Sequence, residues 1–221
     1  MKSLVAFPLL ALGLTATLTA ALTACAGDQS RVPETAQYGP NPQLPPPDSS
    51  MIPTVNIAPA KGWPEGRTPK AAPGFAVAAF AANLEHPRWL YVLPNGDVLV
   101  AETNAPPKPD DGKGIRGWFM KKAMRKAGAG VPSANRITLL RDADGDGVAE
   151  TRSVFLHDLN SPFGMALVGS TFYVANSDAV VKVPYAADET SITATPVKVS
   201  DLPGGTLNHH WTKSLVASGD G

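Results

Sequence analysis

Leu84-Glu-His-Pro-Arg-Trp-Leu-Tyr-Val-Leu93, Pro94-Asn-Gly-Asp97 and Val98-Leu-Val-Ala101 follow one another without a break. The outer segments are apolar and suited to strands. The middle one carries Asn95-Gly96, a strong short-range hairpin signal. The stretch therefore predicts strand, turn, strand. The rhythm returns in Pro162-Phe-Gly-Met-Ala-Leu-Val168, Gly169-Ser-Thr171 and Phe172-Tyr-Val-Ala-Asn176. It returns again in Trp211-Thr-Lys-Ser-Leu-Val-Ala217, followed by Ser218-Gly-Asp-Gly221. Arg136–Leu140, Arg152–Leu156, Ala179–Val183 and Ala194–Val199 read as the strands between these copies.

A strand pair that recurs at intervals of tens of residues, with further strands between copies, predicts an all-β chain built from β-propeller blades. A flat β-sandwich is the competing architecture. At about 40–50 residues per blade, the stretch 73–221 holds about three blades, too few to close a ring. The Gly219-Asp-Gly221 turn is expected to send the chain into a return strand, so the chain reads as the N-terminal part of a longer β-protein. Phe75-Ala-Val-Ala-Ala-Phe80, set between Gly74 and Asn83, is expected to be a short strand.

One insertion, 105–130, interrupts the pattern. Ala105–Gly112 is a Pro- and Asp-rich loop, and Lys113–Ala127 predicts a short helix. Ile115, Trp118, Phe119 and Met124 give that helix an apolar side. Arg116, Lys121, Lys122, Arg125 and Lys126 make it strongly basic. Gly128-Ala-Gly130 ends it. It reads as a surface helix across a blade edge or, in a sharper reading, as a lid or a contact with anionic lipid.

Residues 1–24 have the form of an export signal: Lys2, an apolar run from Leu4 to Leu22, then small residues. Leu22-Thr-Ala-Cys25 resembles the bacterial lipobox, whose cysteine is acylated. Cys25 is the single cysteine, so no internal disulfide is available. Ala26, rather than Asp, resembles outer-membrane sorting. A periplasmic, lipid-anchored protein is expected, held to the membrane through Cys25. Residues 25–72 contain Pro33, Pro40, Pro42, Pro45-Pro46-Pro47, Pro53, Pro59 and Pro64, which predicts an extended tether. Lys and Arg number 19, as do Asp and Glu. That balance speaks against a general nucleic-acid or anionic-membrane surface, and no nucleic-acid partner is expected.

Asp142-Ala-Asp144-Gly-Asp146-Gly-Val-Ala-Glu150 places carboxylates at the first, third, fifth and ninth positions of a loop, with glycine at the sixth. With the Val148 carbonyl, these residues suit one hard cation, and Ca²⁺ fits better than Mg²⁺, which dehydrates reluctantly. Ser153 holds the twelfth place, where a helix-flanked calcium loop has Glu. A solvated acidic turn is the plainer alternative. A bound ion would be structural, because four carboxylates this close repel one another.

Asn208-His209-His210-Trp211 is the second constellation. In extended chain the two imidazoles point to opposite faces. One is then available as a general base, while the other packs outward. A hydrogen-bonded loop histidine is the alternative. His86 and His157 have no companion motif and read as structural.

Three stretches, Leu84–Thr103, Asn135–Gly147 and Asn208–Ala217, together resemble the glucose/sorbosone dehydrogenases, and more narrowly the sorbosone dehydrogenase-like lipoproteins of bacteria. The resemblance implies a six-bladed propeller that uses pyrroloquinoline quinone (PQQ) and Ca²⁺. Such a protein oxidises a sugar or sugar aldehyde in the periplasm and passes electrons to an external acceptor. It implies that His210 is the base, bracketed by Leu202-Pro203 and Leu215-Val216. His209 stands where soluble glucose dehydrogenases have an aspartate. Asn160 stands where they have a glutamine, so Asn160, Asn208 and His209 are the pocket candidates. The cationic ligands of PQQ and its calcium site belong to later blades, so residues 1–221 alone are expected to bind PQQ weakly or not at all. The Asp142–Glu150 loop is distinct from that cofactor site. A non-enzymatic propeller lipoprotein that binds a carbohydrate or a protein is the competing function.

Overall fold

A computed structural model describes residues 32–44, 57–64, 66–107, 114–205 and 208–219. The export signal, Cys25 and the Pro45-Pro46-Pro47 run lie outside the described residues. The chain divides into two compact units, Met1–Asn56 and Ile57–Gly221. In the first, Glu34–Ala36 forms one 3₁₀ turn, and Gln43 N donates to Ala36 O at 2.8 Å.

The second unit is mostly β. Its described residues contain eight strands: β1 (Pro87–Val92), β2 (Val98–Glu102), β3 (Arg136–Arg141), β4 (Thr151–Leu156), β5 (Met165–Val168), β6 (Thr171–Ala175), β7 (Ala179–Pro184) and β8 (Val197–Asp201). Helix α1 (Gly114–Lys126) lies between β2 and β3. The strands form two four-stranded antiparallel sheets, ordered β1-β2-β3-β4 and β5-β6-β7-β8. Each sheet is a simple meander, so every strand pairs with its sequence neighbour.

The first hairpin follows from its turn residues. Gly96 N donates to Leu93 O at 2.9 Å, and Leu93 N to Asp97 O at 2.8 Å. The loop thus spans Pro94, Asn95 and Gly96, and Gly96 takes the left-handed position (φ 91°) that closes a three-residue hairpin. Central strands β2 and β3 are buried on both faces, consistent with cover from above and below. Leu99, Ile137 and Leu139 from the first sheet and Phe172, Val174 and Val183 from the second form one continuous core. Phe172 stands edge-on to Phe155 at 5.5 Å and to Tyr91 at 6.1 Å. The Tyr91 hydroxyl accepts Leu167 N at 3.0 Å, which ties β1 to β5. Burying a Phe side chain contributes about 1.5–3 kcal/mol, so this ring cluster is a principal join between the sheets.

The first sheet also encloses charge. Glu102 is fully buried. Its carboxylate accepts Thr138 Oγ1 and the backbone N of Glu85, and pairs with Arg136 Nη2 at 2.9 Å and Arg152 Nη2 at 3.5 Å. Asp97, nearly buried, receives Arg141 through two bonds of 2.7 Å. A buried carboxylate is tolerated only when paired and hydrogen-bonded in this way.

Helix α1 ends in a Schellman motif. Gly128 N donates to Arg125 O at 3.1 Å and Ala129 N to Met124 O at 2.9 Å, with Gly128 left-handed (φ 78°). Among the described residues, Ala60 N to Lys126 O and His86 Nε2 with Gly128 O hold the insertion against the unit, and Asn104 Nδ2 to Val131 O holds the chain that leaves it.

Two expected strands do not form. Phe75–Phe80 is irregular, with Phe75 and Val77 exposed. Its described backbone ties are Phe75 N to Ala72 O at 3.1 Å, a local turn, and Phe80 O, which accepts Ala149 N at 2.9 Å. Trp211–Ala217 is also irregular, and Val216 is exposed. Apolar composition supplied the strand signal in both cases, but a strand needs a partner ladder along its length. Neither segment has one among the described residues. Strand β8 begins at Val197 rather than Ala194.

Candidate functional site

The site is built where three chain segments begin to run side by side. Trp89, at the start of β1, packs on Phe163, which precedes β5, with ring centroids 4.9 Å apart. Arg88 lies over the ring of the buried Trp211 at 5.3 Å, a cation–π contact. Gly164 N donates to Lys213 O at 2.9 Å. A Cβ on Gly164 would stand 2.5 Å from Leu215 N, so only glycine lets the 213–215 backbone approach so closely. The start of the third sequence copy is thereby laid along the start of the second, although it forms no strand.

Asparagines organise the rim. Asn135 Oδ1 accepts Ser161 N, and Asn176 Oδ1 accepts Asn160 N. Ser177 N donates to Asn160 O at 2.9 Å, and Asn208 Nδ2 donates to Ser177 O at 3.2 Å. Asn160 and Asn208, both predicted from sequence, thus meet through Ser177. Asn135 and Ser161 have positive φ (52° and 47°), a conformation that asparagine tolerates better than most residues. Leu202 N donates to Asp178 O at 2.7 Å, and Gly204 sits close against Asp178. The chain therefore turns back over β7 before it reaches the histidines.

His209 and His210 are exposed and lie in a bend, not in extended chain. The expected opposition of their side chains across a strand therefore does not apply. The His210 carbonyl accepts Lys213 Nζ at 3.1 Å. Arg88 and Lys213 give this end positive charge, and the sequence reading missed both. So, too, did it miss Asn135, Asn176 and Ser177. The recurring pairs Asn160-Ser161 and Asn176-Ser177 were the available signal. An open depression of about 650 Å³ lies along Asn135, Arg136, His157 and Asp158, and His210 does not line it. His86 is a structural residue: its ring contacts Thr103 O at 3.0 Å and Gly128 O at 3.3 Å.

The acidic loop is drawn together. One carboxylate oxygen from each of Asp142, Asp144, Asp146 and Glu150 lies within 4.8 Å of the others. The loop's own amides shape it: Gly145 N and Gly147 N donate to the two oxygens of Asp142, Val148 N to Asp146, and Ala143 N to Glu150. Four such carboxylates suit a hard cation with oxygen ligands. Ser153 is not turned to the loop, because its hydroxyl donates to Thr190 O at 2.6 Å.

The two constellations lie at opposite ends of the first sheet. Register pairs Arg141 with Thr151, Leu140 with Val98, and Val98 with Val92, which puts the acidic loop at the far end of β1. The Arg88–Trp211 contact is at the near end. A strand of this length spans roughly 17–20 Å, so the acidic loop does not reach the histidines. Among the described residues no enclosed site for PQQ is formed: Arg88 lies over Trp211, and Lys213 Nζ bonds the His210 carbonyl.

A family model described as "Domain of unknown function (DUF7133)" matches residues 68–191, more than half of the chain. No curated protein and no solved structure matches the chain. Among the described residues no helix is long and apolar enough to cross a membrane.

Proposed function

The chain belongs to the DUF7133 family, and we propose that it forms the first blades of a lipid-anchored periplasmic β-propeller whose parent protein oxidises a sugar or sugar aldehyde with PQQ. The observation that supports this reading best is the alignment of three segment starts, Arg88, Phe163 and Trp211, with the exposed His210 at the same end. In a ring of blades the inner strands converge in this manner around a central channel.

In this proposal His210 takes the proton of the substrate hydroxyl, a task that suits an imidazole near neutral pH. Asn160 and Asn208 border the pocket. The electron acceptor would be PQQ, by resemblance to the glucose/sorbosone dehydrogenases. The described residues do not enclose that cofactor. Ca²⁺ in the Asp142–Glu150 loop would be structural: it would neutralise the carboxylates and pin the β3–β4 turn. The anchor would be the acylated Cys25, sorted to the outer membrane.

The test is dye reduction by the natural polypeptide purified from its source membranes, assayed with aldoses, with and without PQQ and Ca²⁺. The proposal expects PQQ-dependent turnover, reduced about 10²- to 10⁴-fold by His210→Gln. Turnover that ignores PQQ, or that survives the substitution, would overturn it. One feature favours a second reading. His209 occupies the place of the orienting aspartate of soluble glucose dehydrogenases, and the pair is exposed. A non-enzymatic propeller lipoprotein that binds a carbohydrate or protein partner would give ligand binding without turnover.

A further inference from the structure

We infer that α1 is a docking element for an anionic lipid surface. The helix is Gly-Ile-Arg-Gly-Trp-Phe-Met-Lys-Lys-Ala-Met-Arg-Lys, with five cations and no acidic residue. The chain as a whole is neutral, so this concentration of charge is local. Its large apolar side chains are not packed into the core. Ile115 is 80% exposed, Phe119 60%, Met120 56% and Trp118 55%. Lys122, Arg125 and Lys126 are exposed among them.

Water is a poor partner for Trp and Phe, and a core has not claimed them. A bilayer interface accepts an aromatic ring at headgroup depth, with cations beside it. Lys122 already lies over the Trp118 ring at 5.4 Å, so apolar and basic groups share one surface. Because they are mixed rather than segregated, the helix suits shallow binding dominated by charge. At 13 residues it is about 20 Å long, too short to span a bilayer, so it would lie on the surface. The Schellman motif, Ala60 and Asn104 fix both the helix end and the chain that leaves it, so the surface is presented in a set orientation. Charge complementarity thus selects an anionic membrane. The inference stands apart from the dehydrogenase reading and from acylation of Cys25.

The test is flotation of the full chain with vesicles of phosphatidylglycerol and phosphatidylcholine in equal parts, against phosphatidylcholine alone. Residues 1–25 are common to all the proteins compared and cancel. The chain is expected to partition better onto the anionic vesicles, and raising the salt from about 0.05 M to about 0.5 M should erase the difference. The triple variant Lys122→Gln, Arg125→Gln, Lys126→Gln should lose about a hundredfold in anionic partitioning, at roughly fivefold per cation. Glutamine matches lysine and arginine in helix propensity, so the helix is retained. A control triple, Arg67→Gln, Lys70→Gln, Lys182→Gln, should bind as the parent does. Trp118→Ala should weaken binding without removing its salt dependence. Undiminished binding by the helix triple, equal loss in both triples, or binding to double-stranded DNA and not to the vesicles would each overturn the inference.

Discussion

Strands β4 and β8 occupy the same place in their two sheets and fare differently. The second sheet's connecting chain covers β4: Ile192 N donates to Phe155 O at 2.8 Å, and Ser153 Oγ to Thr190 O. Strand β8 is exposed at all five residues, with Val197 58% and Val199 50% open. The contrast teaches that the outer strand of the first sheet is finished by chain from the second, a feature shared with stacked repeat architectures. The sheets differ inside as well. The first is held by buried ion pairs and interrupted by a long insertion, whereas the second is compact and largely apolar.

The strongest way to break the comparison is at the join. Phe172→Ala removes the ring that meets both Phe155 and Tyr91, and should cost about 4 kcal/mol in urea unfolding. A loss below about 1 kcal/mol would mean that the sheets do not depend on one another. Glu102→Gln should cost about 3 kcal/mol, since it leaves Arg136 and Arg152 without their shared carboxylate. Hydrogen exchange should show a larger loss of protection in β1–β4 than in β6 and β7. Equal loss in both sheets would contradict the division of labour.

Acid titration probes the same asymmetry. Burial alone would raise the Glu102 carboxyl, but the bonds from Thr138, Arg136 and the Glu85 amide outweigh it and hold it below the usual range. The Arg141 bonds hold Asp97 low against the cost of its burial. A carboxyl whose folded value is depressed contributes stability above its unfolded value, near 4, and loses it as pH falls through the folded one. Melting temperature should therefore drop between about pH 5 and about pH 2, and Glu102→Gln should flatten the slope. A slope unchanged by that variant would assign the acid sensitivity elsewhere.

Gly164→Ala tests the laying of 213–215 along the second sheet. The methyl group would meet backbone, so a cost of about 2 kcal/mol is expected, together with faster cleavage after Lys213 by trypsin. Unchanged protection of Lys213 would refute that contact. The smallest expected effect comes from calcium. At about 1 mM it should stabilise the first sheet by about 1.4 kcal/mol if the loop binds with a dissociation constant near 10⁻⁴ M. Asp144→Asn should abolish the gain; a gain that persists would place the ion elsewhere.

Both hairpins and the meander order were legible because Asn95-Gly96, Gly169-Ser170 and the apolar runs encode local pairing. Helix α1 matched its predicted range within a residue at each end, since the glycines after it fix its end. Phe75–Phe80 and Trp211–Ala217 misled because composition reports apolarity and not the presence of a partner. At the site, His209 and His210 announced themselves as residue types. Arg88 became visible only when the fold stacked it on Trp211, a contact 123 positions away in the chain. The gathering of Asp142, Asp144, Asp146 and Glu150 was legible, because the four carboxylates are close in the chain.

The central proposal is that these two sheets are successive blades of a larger propeller. Its most direct test is the intact mass of the mature natural polypeptide, extracted from the source membranes. Six blades of about 40–50 residues each, with the tether and the insertion, require a product roughly one and a half times this chain's 23.0 kDa, and acylation of Cys25 would add to it. A mature product that ends at Gly221 would leave β8 uncovered in the native protein and contradict the account.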